Sequence, residues 1–436
     1  MVLDIRLLRE QPDAVKAAMV LLQSDAPIDA ILELDRRRRE IVTRAESLKA
    51  QRNEGSKAVK GAKDPAERQQ LIEAMRSVGD EISALDREIG DLEATLRDLL
   101  LTVPNLPDPA VPVGVDESDN VVVAEKGPRR TFDFAPKPHW ELAEALGIID
   151  FDRGVKVAGA RFYVLRGDGA RLQRALISWM LDLHTREHGY QEVYPPYLVL
   201  RDMLVGTGNL PKFADTLFRD DDAEKWLIPT AEVPITNLYR DEILDERQLP
   251  IFHVAYTPCF RREQISAGRD VRGIKRGYQF DKVEMVKFVH PDRSTEEHAA
   301  LLADAEDVLV GLGLPYRVLQ ICTADLSFTA SNKIDLETWA AGSAEWLEVS
   351  SCSTFGDFQA RRADIRFRPE GGGRPQFVHT MNGSGLALPR TMISIMEQYQ
   401  RQDGTIDVPP VLQPYLGGQQ VIGQQPPIGP ARSRPA

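Results

Sequence analysis

The strongest constraint on this chain is a periodicity. Leu71, Met75, Val78, Ile82, Leu85, Ile89, Leu92, Leu96 and Leu99 recur at alternating four- and three-residue steps without a slip. Such a stripe lies along one face of an α-helix, and its burial requires a second helix. A weaker series precedes it: Ile31, Leu34, Arg38, Ile41, Ala45, Leu48, Arg52, Gly55 and Val59, with Arg38 and Arg52 interrupting the apolar pattern. The breaker-rich "GSKAVKGAKDP" separates the two series, so they are predicted to fold back as an antiparallel coiled-coil arm. At about 1.5 Å per residue the arm is on the order of 50 Å long. A shorter helix is expected over residues 5–23.

The two predicted helices differ in charge. Residues 36–63 carry Arg36, Arg37, Arg38, Arg39, Arg44, Lys49, Arg52, Lys57, Lys60 and Lys63 against three glutamates, while the second helix is acid-rich. Interhelical salt bridges account for part of this pattern. The surplus towards the tip is what contact with an RNA backbone needs, with Arg36, Arg37, Arg44, Lys49, Lys57, Lys60 and Lys63 as candidates. The formal net charge of −12 disfavours indiscriminate nucleic-acid binding but not a local basic surface.

Prolines in "VPNLPDPAVP" stop the helical pattern. The expected organisation is a helical domain over 1–103, a Pro-rich linker over 104–125 and a mixed domain of strands and helices over 126–418. Residues 419–436 lack apolar content and are expected to be disordered. No apolar run approaches the ~18–20 residues of a membrane span. The start "MVLDIRLLREQPDAV" has charges where a signal peptide needs its apolar core. Cys259, Cys322 and Cys352 show neither disulfide nor zinc-ligand spacing, so a cytoplasmic protein is expected.

One stretch concentrates chemistry. "FRREQISAGRDVRGIKRGYQFDKVEM" (260–285) crowds arginines between strand-like flanks and closes on Phe280 and Glu284. Arginine forks suit phosphate, an aromatic ring suits a flat base, and a carboxylate suits an amine or hydroxyl. With no GxxxxGK[ST] and no strand–GxGxxG–helix unit, a nucleotide would have to be held by side chains.

With "PPYLV", "TAEVPITN", "LEVSSCSTFGDFQARR" and "NGSGLALPRT" in order behind the arm, the chain resembles the bacterial-type seryl-tRNA synthetases to about residue 418. The resemblance implies an α+β fold with a class II antiparallel sheet flanked by helices, a homodimer, and serine activation by ATP with Mg²⁺ before transfer to tRNA(Ser), and to tRNA(Sec) where one exists. It places Arg261 on the α-phosphate and the serine carboxylate, and Arg390 on the γ-phosphate. Glu263 would meet the adenine amino group, Phe280 would stack on the ring and Gly277 would lie close to it, with Arg262 alongside. Glu348 and Ser351, with Val349 and Ser350 between them, would meet ATP, the first two as Mg²⁺ ligands. Thr230, Ala231 and Glu232 would hold the ammonium group, and Glu284, Asn382 and Ser384 the serine hydroxyl. The chain departs from the family at Gln264-Ile265, usually Ala-Gly, and at Tyr278, commonly histidine. Two other readings fit part of the sequence. A ligase loading an amino acid onto a carrier protein would lack the arm, and an inactive RNA-binding paralogue would have lost the phosphate arginines.

Overall fold

The computed structural model describes residues 3–222, 224–262 and 272–425. It divides into two compact units, Met1–Pro104 and Asn105–Ala436.

In the first unit, short helices α1 (Ile5–Glu10) and α2 (Pro12–Leu21) precede the long α3 (Ile28–Gly61) and α4 (Pro65–Leu101). The single helix expected over 5–23 is interrupted because Pro12 opens a new helix, where its missing N–H costs nothing. In α4 every position of the heptad series is buried or half-buried, while most positions between are exposed, with Ile82, Leu85, Leu92 and Leu96 deepest. Each such side chain contributes about 1.5–3 kcal/mol relative to exposure. The breaker-rich stretch does not end α3 early: the helix runs through Gly55 to Gly61, leaving a tight turn before Pro65. Gly55 packs directly against the end of the Met75 side chain on α4. At the base, Asp35 is buried between Arg9 (3.2 Å) and Arg39 (3.1 Å).

The second unit is built on an eight-stranded sheet: β1 (Val121–Lys126), β2 (Gln191–Glu192), β3 (Ile251–Phe260), β4 (Gln279–Val289), β5 (Tyr316–Gln320), β6 (Asn332–Ala340), β7 (Glu345–Gly356) and β8 (His379–Ala387). The spatial order is β1-β5-β6-β7-β8-β4-β3-β2, antiparallel throughout except at β2–β3. The helices of this unit that position the site are α5 (His139–Leu146), α6 (Asp168–Arg186), α7 (Glu232–Thr236), α8 (Ser294–Leu312), α9 (Phe358–Ala363) and α10 (Leu388–Gln398).

Strand period sorts β4 into two faces. Val283, Met285 and Val289 join the main core with Leu176, Leu301 and Met392. Val286 and Phe288 join a smaller core with Ile235, Ala360 and Phe367 on the other face. Residues 382–387, "NGSGLA", stay in β8, where Gly383 and Gly385 let Cys352 and Leu301, and then His184, pack against the strand. After β7 the chain leaves the sheet for α9.

Two expected boundaries change. The linker over 104–125 is strapped to the second unit: buried Asn105 donates to Thr329 O (2.9 Å) and Phe355 O (2.8 Å), and residues from Val121 form the edge strand β1. Residues 419–425 are also held in place. Val421 and Ile422 pair with Ile406 and Asp407, and Gln419 and Gln425 both donate to Asp168. Ile422 is buried in the main core as well, so apolar packing and these hydrogen bonds together anchor the segment. Residues 426–436 lie outside the described ones. No helix among the described residues is long and apolar enough to cross a membrane.

Candidate active site

A cavity of about 610 Å³ opens on the even-numbered face of β4. Phe280, Lys282 and Glu284 line it at every second position. On the neighbouring strand, Ser384 stands directly across from Glu284, and Asn382 also faces the cavity. Thr230 and Glu232, at the start of α7, close this end. The Lys282 ammonium pairs with Glu284 and donates to Thr230 Oγ1 at 3.0 Å. Gln359, from α9, donates to Glu232 Oε1. Burial, followed by the nearby charge of Glu284, pushes the Glu232 carboxyl up to about 7, against the opposing pull of Gln359 and Lys282.

The other end is cationic. Arg261 follows β3 immediately, its Nε donating to Pro229 O (3.1 Å) and its guanidinium lying 5.1 Å from the Phe280 ring centroid. Arg262 also lines the cavity and packs over Phe218 at 4.9 Å. Arg390, in the first turn of α10, donates to Glu348 O (2.7 Å) and stands 3.6 Å from the Glu348 carboxylate. Glu348 and Ser351 would point to opposite faces of a regular strand. A bulge at Val349, where Glu337 pairs with Glu348 and Leu336 with Ser350, brings both onto the cavity. Burial raises the Glu348 carboxyl, but the charges of Arg390, Lys333, Arg261 and Arg276 outweigh it, so the group sits below the ordinary carboxylate range. Asp335, across from Ser351 and 3.1 Å from Lys333, is raised to about 7 by burial and by Glu348.

The structure therefore brings together Thr230, Glu232, Arg261, Arg262, Gly277, Phe280, Glu284, Glu348, Val349, Ser351, Asn382, Ser384 and Arg390. Two expected residues do not reach the cavity. Ala231 is fully buried in the smaller core, and Ser350 points to the opposite face, donating to Ser384 O at 2.7 Å. The position expected for Glu263 lies outside the described residues, as do Gln264 and Ile265. Tyr278, the other departure, fills an aromatic corner with Phe162 and Phe218. Lys282, Lys333, Asp335 and Gln359 escaped the sequence reading. Of these, Lys282 carried a usable signal, because it shares the strand face of Phe280 and Glu284.

On the arm, Arg37 pairs with Glu88, Arg44 with Glu81 and Lys49 with Asp86, and Arg36 is held by Glu33 and Glu40 on its own helix. Lys57, Lys60 and Lys63 are exposed near the tip and make no ion pair among the described residues.

Comparison with known proteins agrees with this architecture in both units. Residues 2–107 match the model of the seryl-tRNA synthetase N-terminal domain, and residues 213–399 that of the tRNA synthetase class II core domain (G, H, P, S and T). The serine–tRNA ligase of Thermomicrobium roseum is 66% identical over 435 residues, covering 100% of this chain and 98% of the relative. That of Herpetosiphon aurantiacus is 60% identical, covering 97% of this chain and all of the relative. The crystal structure of seryl-tRNA synthetase from Pyrococcus horikoshii complexed with ATP superposes with a TM-score of 0.92 at 35% identity, over 97% of this chain and 100% of that one. A paired helical arm, an antiparallel sheet carrying arginines at one end of its cavity and carboxylates at the other, and full-length similarity of this degree lead to one assignment: the chain belongs to the seryl-tRNA synthetase family of class II aminoacyl-tRNA synthetases.

Proposed function

We propose that this protein activates L-serine with ATP, giving seryl-adenylate and pyrophosphate, and then transfers serine to tRNA(Ser). The observation that carries this reading is the pairing of Glu284 and Ser384 across adjacent strands, in the same cavity as Arg261, Arg390 and Glu348. In-line attack of the serine carboxylate on the α-phosphate builds negative charge there. Guanidinium groups already fixed by backbone carbonyls stabilise that charge without reorganising. Arg261 serves the α-phosphate and Arg390 the γ-phosphate. A base stacked on Phe280 takes the ring face that Arg261 leaves open.

Glu348 and Ser351 would hold Mg²⁺: the Val349 bulge turns a carboxylate and a hydroxyl, both hard oxygen donors, to one face. When bound, the ion screens the charge of the triphosphate. Glu232 and Thr230 receive the serine ammonium, while Glu284, with Asn382 and Ser384, accepts and orients the hydroxyl. Alanine would leave these buried polar groups unpaired, a penalty that supports discrimination of roughly 10⁴.

Lys57, Lys60 and Lys63, exposed and without an ion pair among the described residues, support an RNA contact at the arm tip. A homodimer is supported by the exposed Tyr194, Leu198 and Leu200, which leave apolar surface for a second subunit. Three buried thiols suit a reducing cytoplasm. Where the host makes tRNA(Sec), the same enzyme serylates it.

The test is ATP–pyrophosphate exchange without tRNA. Serine supports it and alanine and threonine do not; exchange driven by another amino acid overturns the assignment of the pocket.

A further inference from the structure

A buried polar network behind the cavity joins four elements that carry its lining. Glu397, in the last turn of α10, is fully buried. Its carboxylate accepts from His139 N (2.8 Å), Gly342 N (2.8 Å), Ser343 N (2.9 Å) and Ser343 Oγ (2.8 Å), so the hairpin between β6 and β7 is tied to the helix that bears Arg390. It also meets the Nδ1 of His139 at 3.0 Å. A carboxylate surrounded by donors takes a hydrogen from that nitrogen, which leaves the ring's Nε2 as an acceptor. That lone pair faces the backbone N–H of Ile274 at 3.3 Å.

Ile274 begins the run Ile274–Lys275–Arg276–Gly277, and all four residues line the cavity. The contact is built closely. Gly273 has φ +74°, and a Cβ there would overlap His139 Nε2, so the imidazole lies where only glycine leaves room. Two further contacts hold the same stretch. The Arg272 guanidinium covers Trp140 at 4.9 Å, and Lys275 pairs with Glu345 at 2.7 Å.

We propose that His139 is a positioning residue for nucleotide binding. With its tautomer set by Glu397, it pins the returning limb of the arginine-rich loop at Ile274, so that Arg276 and the Gly277 backbone are presented to ATP. His139 touches neither substrate and acts through the loop. The inference deepens the proposed function, because it assigns loop placement to a residue outside the cavity.

The test separates the two ring nitrogens. In His139→Asn the amide nitrogen stands near the position of Nδ1 and keeps the bond to Glu397, but nothing reaches Ile274. In His139→Gln the amide oxygen stands near Nε2 and can still accept from Ile274. ATP affinity is measured by direct titration of the full-length protein, and amide exchange at Ile274 by hydrogen–deuterium exchange, alongside thermal melting. His139→Asn is expected to weaken ATP binding about tenfold, as the loss of one buried hydrogen bond predicts, to accelerate exchange at Ile274 and to leave serine's KM unchanged. His139→Gln recovers most of both losses. Equal ATP affinity and equal Ile274 exchange in all three proteins overturn the proposal. So do losses that match in both variants and track a fall in melting temperature. If serine fails to drive exchange in the parent protein, the functional reading falls, while ATP titration and amide exchange still decide the role of His139.

Discussion

Serine binding should depend on pH through Glu232. An ammonium ligand needs an ionised carboxylate, yet burial and the neighbouring Glu284 raise the Glu232 carboxyl to about 7. The sign follows directly: protonation below that value removes the charge that the ammonium seeks, so binding weakens as pH falls. If only the ionised form binds serine, KM scales with one plus the ratio of protonated to ionised carboxyl. That factor is about 1 at pH 8 and about 11 at pH 6, a roughly tenfold rise worth ~1.4 kcal/mol. The assay is serine-dependent pyrophosphate exchange between pH 6 and 8. Asp335, beside Glu348, titrates in the same range, so ATP is kept saturating to confine the effect to serine. Glu232→Gln supplies the control, with a higher serine KM that no longer changes with pH. Gln359→Leu removes a hydrogen bond to the ionised form and should move the inflection to higher pH. A wild-type serine KM that is flat from pH 6 to 8 would refute the reasoning.

Three other outcomes are expected. Glu284→Gln and Ser384→Ala lower kcat/KM for serine by roughly ten- to a hundredfold, leaving alanine little changed, and comparative exchange assays with the two amino acids read the lost selectivity. Replacing Lys57, Lys60 and Lys63 together with glutamine leaves exchange intact but raises the KM for tRNA. It also flattens the salt dependence by about 0.9 in logarithmic slope for each phosphate no longer neutralised, which aminoacylation at several salt concentrations measures. Leu92→Ala, at a buried seam position of α4, destabilises the first unit by about 2–5 kcal/mol, to be read from urea denaturation followed by circular dichroism.

Local periodicity made the arm legible, since the heptad series of α4 needs no knowledge of distant residues. The same holds for Phe280 and Glu284, whose shared face follows from strand alternation, and alternation applied consistently would have added Lys282. Residues whose placement depends on pairing over long range were not legible. Glu348 and Ser351 reach one cavity only because β6 meets β7 with one residue too many at Val349. Ser350, adjacent to them in sequence, is turned into the core by the same geometry. Gln359 reaches Glu232 from a helix set between strands, and no local pattern marks that approach. The seven basic residues proposed for RNA contact divide on similar grounds. Composition supplied the surplus, but partners on α4 already occupy Arg37, Arg44 and Lys49.

Over residues 280–285 of β4, cavity lining and main-core packing occupy opposite sides of a single ribbon. Sliding the pairing by one residue would turn Val283 and Met285 into the cavity and drive Lys282 and Glu284 into apolar packing. A misregistered copy would therefore lose its core together with its cavity lining. It could not persist as a sound but inactive competitor for RNA, and would instead expose itself to the cell's proteases and chaperones.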